Sequence, residues 1–275
     1  MIFHFEGCDL YYTIKGDLES AKNTIIFLHG FTGSSIDWEP IEQYFSQDTA
    51  LIFLDLPGHG NSGTPEKSNF FEEKNLRDLI FRFFTLLELK KPYLCGYSMG
   101  GRLALSFALS YPHLLKGLIL ISSSPGINSK AERNKRIKAD NKIVEILIND
   151  GIASFTDNWL NLSLFSGLKN LKEPDFLAYR NRKLKNDTIG LIRCITGFGQ
   201  GKTKNKWGRI KNIKIPLLVL TGSLDKKYCD ISRQMKLRNK NIVTDVIEGA
   251  SHSVHIEKPE ITATSIINFL KTNNS

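Results

Sequence analysis

The chain has 275 residues, 41% hydrophobic and 24% charged, a balance that suits a folded globular protein and excludes a disordered or collagen-like one. No apolar run is long enough to span a bilayer, and Met1 to Glu6 has neither the basic start nor the apolar stretch of a signal peptide, so a cytoplasmic protein is expected. The net charge is +9. In chain order, residues 2–14 read as an edge hairpin turning near Gly7. Thr24 to Leu28 and Leu51 to Leu54 follow as short apolar strands, then a helical pattern from Glu72 to Leu87. Pro92 to Cys95 is a strand, Gly100 to Ser110 a helix, and Leu118 to Ile121 a strand. From about Ser129 to Trp207 the pattern is helical and basic, without strand signals. Strands return at Leu217 to Leu220 and Ile242 to Ile247, and a helix from Lys258 to Leu270 ends the series.

Short apolar strands alternating with helices predict an α/β fold: a mostly parallel, eight-stranded sheet flanked by helices. The helical insertion after the sixth strand predicts a cap over the carboxyl edge of the sheet, where ligands bind in such folds. The expected division is a core of residues 1–125 and 212–275 and a cap of residues 126–211. Between Gly126 and Lys211 lie 18 basic and 8 acidic residues, a net of +10, while the remainder carries −1. The excess charge and the cap are therefore the same segment. An anionic small molecule, nucleic acid or a lysine-rich solvated face would each account for it. The four cysteines, Cys8, Cys95, Cys194 and Cys229, form no CxxC pair and predict reduced thiols, with neither a disulfide framework nor a metal site.

The chemistry concentrates in Gly96-Tyr97-Ser98-Met99-Gly100-Gly101. It follows a strand and precedes a helix, the context of a nucleophile elbow, in which glycines permit a sharp turn and the serine stands at its tip. Such a serine needs a base, and the base an orienting acid, in the chain order Ser, Asp, His for the α/β-hydrolase fold. Asp225 follows the strand ending Thr221-Gly222, and His252 follows the last strand. His255 is the rival base, less well placed relative to the strand exit. His29-Gly30-Phe31-Thr32-Gly33 ends the first central strand and resembles the loop that supplies one oxyanion-hole amide; the amides of Phe31 and Met99 are the expected pair. His29 and Asp55 read as loop-holding residues. Tyr97 either meets the substrate through its hydroxyl or packs.

Several segments give a narrower match. Leu28-His29-Gly30-Phe31-Thr32-Gly33-Ser34-Ser35 with Trp38, the elbow followed by Arg102, and Glu132-Arg133 with Arg136 are three. Asp157-Asn158-Trp159, Arg182, Gly197-Phe198-Gly199-Gln200-Gly201, Asp225-Lys226-Lys227-Tyr228 and His252-Ser253-Val254-His255-Ile256-Glu257 are the others. Over nearly its whole length the chain resembles the 2-succinyl-6-hydroxy-2,4-cyclohexadiene-1-carboxylate synthases, the menaquinone-pathway members of the α/β-hydrolases. One departure is Ala250-Ser251-His252, where Ala-Gly-His is commoner.

The resemblance implies an elimination. A proton beside the succinyl ketone of an enolpyruvyl cyclohexene is removed, and pyruvate leaves, without metal or organic cofactor. It implies Ser98, Asp225 and His252 as the triad, and Arg102, Arg136 and Arg182 as ligands of the substrate carboxylates. Arg133 stands one turn from Arg136, and a shift of alignment would exchange them; Arg180 and Arg182 share that ambiguity. Trp159 is either a site-lining residue or cap core. The implied partner is a polycarboxylate, with no nucleic acid or membrane, and the protein is expected to be a monomer or weak homo-oligomer. The competing readings are a serine hydrolase (a carboxylesterase or a C–C bond hydrolase) using the same triad, and a non-enzymatic receptor or nucleic-acid binder.

Overall fold

A computed structural model describes residues 1–273. Strands β1 (Ile2–Phe5) and β2 (Cys8–Lys15) form the expected hairpin, joined through Glu6 and Gly7, both at positive φ. Strands β3 (Asn23–Leu28), β4 (Thr49–Leu54), β5 (Tyr93–Tyr97), β6 (Gly117–Ile121), β7 (Leu217–Gly222) and β8 (Val243–Ile247) complete one sheet. Its order is β1-β2-β4-β3-β5-β6-β7-β8; β1 and β2 pair antiparallel, and every pair from β4 to β8 is parallel. Strands β4 to β7 are buried at every position, which explains their unbroken apolar runs. The edge strand β8 instead buries only Ile247 and leaves Val243 and Val246 half exposed.

Helices α1 (Glu39–Glu42), α2 (Glu73–Leu86) and α3 (Met99–Ser110) belong to the first half. Leu76, Leu79, Ile80, Phe83 and Phe84 form the apolar stripe of α2 at helical spacing. Helix α3 is buried from Met99 to Ala108, because it lies between the sheet and the inserted segment. That segment contributes α4 (Lys130–Asn149), α5 (Gly151–Leu160), α6 (Glu173–Leu184) and α7 (Thr188–Phe198), with 3₁₀ turns at Ser163–Asn170 and Trp207–Asn212. Helices α8 (Lys226–Arg238), α9 (Val254–Glu257) and α10 (Pro259–Thr272) follow. One sheet face is covered by α2, α3 and α8, the other by α1 and α10. The sequence pattern did not announce α8, since it buries only Tyr228, Ser232 and Met235 and its apolar stripe is too thin to read.

The inserted helices form small cores of their own, Leu160-Phe165-Leu168-Tyr179 and Leu147-Phe155-Leu191. Two buried ion pairs join them to the sheet layer. Lys183 Nζ of α6 lies 2.5 Å from Asp37, and Lys206 Nζ lies 2.7 Å from Glu73 at the start of α2. Glu73 also accepts from Ser106 Oγ and the Lys204 amide. Among the described residues no helix is long and apolar enough to cross a membrane.

Candidate active site

The elbow is a strained turn. Ser98, between β5 and α3, has φ +50° and ψ −103°, a region non-glycine residues avoid at a cost of roughly 1–3 kcal/mol. The surroundings hold it there. Its amide donates to Ile121 O of β6 at 2.8 Å, and its carbonyl accepts from Ser123 Oγ at 2.9 Å. The flanking glycines are required by contact: a Cβ on Gly96 would lie 2.4 Å from Gly100 O, and one on Gly100 would lie 2.2 Å from Leu28 O.

Three strand exits converge at this turn. His252 Nε2 lies 3.0 Å from Ser98 Oγ, and His252 Nδ1 lies 2.6 Å from Asp225 Oδ2. A carboxylate only accepts, so Nδ1 carries the hydrogen and Nε2 is free to accept from the serine. Asp225 also accepts the amide of Tyr228, and so caps α8 while it holds the imidazole. The His252 amide donates to Leu164 O of the inserted segment at 3.2 Å. Ser251, in the place where glycine is commoner, is absorbed into the structure: its hydroxyl donates to Glu257 and accepts the Gly167 amide.

His255 has no part in this chain of contacts. It is buried against Trp38 and Tyr97, with ring centroids 4.5 and 4.4 Å away, and burial pushes its pKa down to about 3. His29 holds the loop after β3, its Nδ1 2.7 Å from Gly30 O and its Nε2 accepting the Leu56 amide. Asp55 accepts the amides of Ser35 and Asn61 and so fixes the loop after β4.

A cavity opens over Ser98. Phe31 and Met99 line it. Met99 opens α3, so its amide has no intrahelical acceptor, and neither its amide nor that of Phe31 donates to a protein acceptor among the described residues. On one side Phe31, Trp159 and Leu164 form an apolar wall; Trp159 meets Phe31 edge-on at 5.5 Å and stacks on Phe155 at 5.7 Å. Trp159 is thus both a wall of the cavity and part of the inserted core.

The opposite side is cationic, with Arg102 and Arg136 in the wall. Arg102 is 7% exposed and makes no ion pair among the described residues. Its Nε donates to Thr203 Oγ1 and its Nη2 to Phe198 O, both at 3.0 Å, which leaves Nη1 without a protein acceptor among the described residues. Burial pulls its pKa down and outweighs the opposing charge of nearby Asp140. Arg136 Nε is held by Asp140 at 2.7 Å, and neither of its Nη atoms has a protein acceptor among the described residues.

Arg133 and Arg182, both expected as ligands, lie elsewhere, and so does Arg180, the alternative to Arg182. Arg133 points back to its own loop, Nη2 donating to Ile127 O at 3.2 Å, so the one-turn ambiguity resolves in favour of Arg136 as the wall residue. Arg182 lies outside the cavity wall; its Nε is 3.6 Å from Asp37, whose buried carboxylate it shares with Lys183. Arg180 pairs with Asp157 on the surface. Tyr97 lies beneath the triad, its hydroxyl 2.8 Å from Ser253 Oγ and its ring 5.3 Å from that of His252.

Other wall residues had no role assigned from sequence. Tyr228, Gln200, Cys194 and Phe198 line the cavity, and Asp140 stands behind Arg136. Tyr228 and Gln200 lay within recognised motifs, but nothing in a linear pattern says which way a side chain faces. Asp140 was legible: it stands four residues after Arg136 on one helix.

An elbow serine hydrogen-bonded to a strand-exit histidine, beneath an inserted helical segment, defines an α/β-hydrolase. The chain belongs to that family, described as the alpha/beta hydrolase fold, which matches residues 23–259. Within it, the chain belongs with the 2-succinyl-6-hydroxy-2,4-cyclohexadiene-1-carboxylate synthases. It is similar to a Bacillus subtilis (strain 168) protein provisionally given that name, 33% identical over 259 residues and 94% of each chain. The synthase of Pectobacterium atrosepticum is 26% identical over 90% of this chain and 93% of its own. The solved structure of MenH from S. aureus superposes with a TM-score of 0.91 at 29% identity, covering 96% of this chain and 99% of that one.

Proposed function

We propose that this protein eliminates pyruvate from 2-succinyl-5-enolpyruvyl-6-hydroxy-3-cyclohexene-1-carboxylate to give 2-succinyl-6-hydroxy-2,4-cyclohexadiene-1-carboxylate, a carbon–oxygen lyase step of menaquinone biosynthesis. Arg102 carries the reading. A guanidinium buried beside Ser98 with no ion pair among the described residues is costly unless an anion completes it, and this substrate brings three carboxylates. The names of the related proteins support the same reaction.

The chemistry follows from the bonds. The succinyl ketone acidifies the hydrogen on ring C2. Loss of that proton forms C2=C3, moves the ring double bond to C4=C5 and expels the enolpyruvyl oxygen from C5. We assign Ser98 as the base, with His252 taking the serine proton and Asp225 holding Nδ1–H. Charge builds on the ketone oxygen, where the amides of Phe31 and Met99 are the assigned donors, each worth about 3–4 kcal/mol in comparable sites. The departing enolpyruvate takes up a proton and tautomerises to pyruvate.

Arg102 and Arg136 are assigned to carboxylates, Trp159 to the apolar side, and residues 126–211 to a cap closing the site. Tyr97 and Arg182 then act from behind, Tyr97 by packing on His252 and Arg182 by helping to hold the cap through Asp37. We read the protein as a cytoplasmic monomer or weak homo-oligomer whose partner is this anion. The test is pyruvate release from the enolpyruvyl substrate, coupled to lactate dehydrogenase. Rapid hydrolysis of a p-nitrophenyl ester with no pyruvate formed would replace the lyase by a serine hydrolase.

A further inference from the structure

We propose that the hydroxyl of Tyr228 is a third anion donor of the site, acting with Arg102 and Arg136 to select a carboxylate-bearing substrate. This rests on the lyase reading for its natural substrate, though not for its test. Tyr228 lies in the first turn of α8, lines the cavity and is buried. Its backbone amide donates to Asp225 Oδ1, and its ring lies 4.7 Å from that of His252. The side chain therefore runs from the triad towards the cationic wall.

The phenolic oxygen decides the matter. Gln200 Nε2 donates to it at 3.4 Å, and Tyr228 itself donates to no protein acceptor among the described residues. With its oxygen occupied by the amide, the hydroxyl proton is left for an acceptor in the cavity. The cations make that acceptor an anion: Arg102 and Arg136 stand in the same wall with unused Nη atoms, and Lys227 Nζ sits 5.4 Å over the Tyr228 ring. Burial holds the Tyr228 pKa above its ordinary value, so the hydroxyl keeps the proton it would donate. A hydroxyl bonded to a carboxylate adds direction to the charge of the arginines, and hydrogen bonds to charged groups are the stronger kind.

Tyr228→Phe removes this donor and leaves the ring on His252 and the backbone amide on Asp225. The expected result is a rise of about tenfold in KM for the enolpyruvyl substrate, with kcat within about twofold. The arm independent of the reaction is labelling of Ser98 by an uncharged fluorophosphonate in the presence of succinate. The labelling rate of each protein with succinate is referred to its own rate without it. Tyr228→Phe should need about tenfold more succinate than the wild type for the same protection. Equal protection of the two proteins overturns the proposal, as does a fall in kcat with KM unchanged. If the wild type labels with the probe yet releases no pyruvate, the lyase reading fails, and the succinate comparison still decides Tyr228.

Discussion

Ser98 sits in a backbone conformation that costs energy, and neighbours on β6 and the loop after it hold it there. Ser98→Ala and His252→Ala should each lower pyruvate release by about 10²–10⁴-fold, with circular dichroism unchanged; a smaller loss would take the proton transfer away from this pair. Gly100→Ala should fail differently. The new Cβ would meet Leu28 O at 2.2 Å, so the β3–α3 packing must open at a cost of about 3 kcal/mol or more, read as a lowered urea midpoint. Ser98, Asp225 and His252 were legible because each leaves a strand at the same edge, and strand order alone brings them together. Arg182 was not: its direction depends on the buried Asp37 carboxylate, 145 positions away in the chain, which draws it behind the site. Ser251 looked like a departure, and its reason appeared only with Glu257 and the Gly167 amide beside it.

Helix α4 owes its aim to one acid. Asp140 holds Arg136 Nε and also accepts the amide of Gly201, next to Gln200 in the cavity wall. Asp140→Ala should free the Arg136 guanidinium and raise KM for the polycarboxylate by about tenfold while kcat changes little. A matching fall in kcat would instead point to a collapsed wall. Helix α6 is pinned by Lys183 on Asp37, where Lys183, above all, outweighs burial and holds the Asp37 carboxyl below its ordinary range. Lys183→Met strands that charge and should cost about 3–5 kcal/mol in urea unfolding at neutral pH, whereas Lys183→Met with Asp37→Leu should recover most of it. The insertion was legible as a single helical, basic block. Its division into helices and the faces they bury were not, because most of its charges are solvated and the apolar stripe of α4 is weak.

The molecule as a whole carries a built-in sensitivity to acid. His29, His59 and His255 are buried and neutral, held by burial at about 4, 3 and 3 against 6.5 in an open chain. Below pH 6.5 the unfolded chain binds a proton at each, and the folded chain does not. Stability is therefore lost as the pH falls towards 4, with a slope approaching about 4 kcal/mol per pH unit for three protons. Asp55, whose pKa burial raises, opposes this trend as it protonates in the fold. Urea midpoints measured across this range should fall steeply, and a level midpoint would mean the three rings take up protons in the folded state.

The insertion also sets a timetable for synthesis. Strand β6 has two parallel neighbours, β5 and β7, and 95 residues separate its last residue, Ile121, from Leu217 at the start of β7. At ribosomal rates of about 5–20 residues per second, the edge Gly117-Leu118-Ile119-Leu120-Ile121 waits roughly 5–20 seconds for its partner. During that interval the nascent chain presents an apolar, unpaired strand to its surroundings, the kind of edge that recruits foreign strands. Early helix formation in the insertion would shield it, so the segment that lines the cavity in the finished fold would first serve as a guard for the growing sheet.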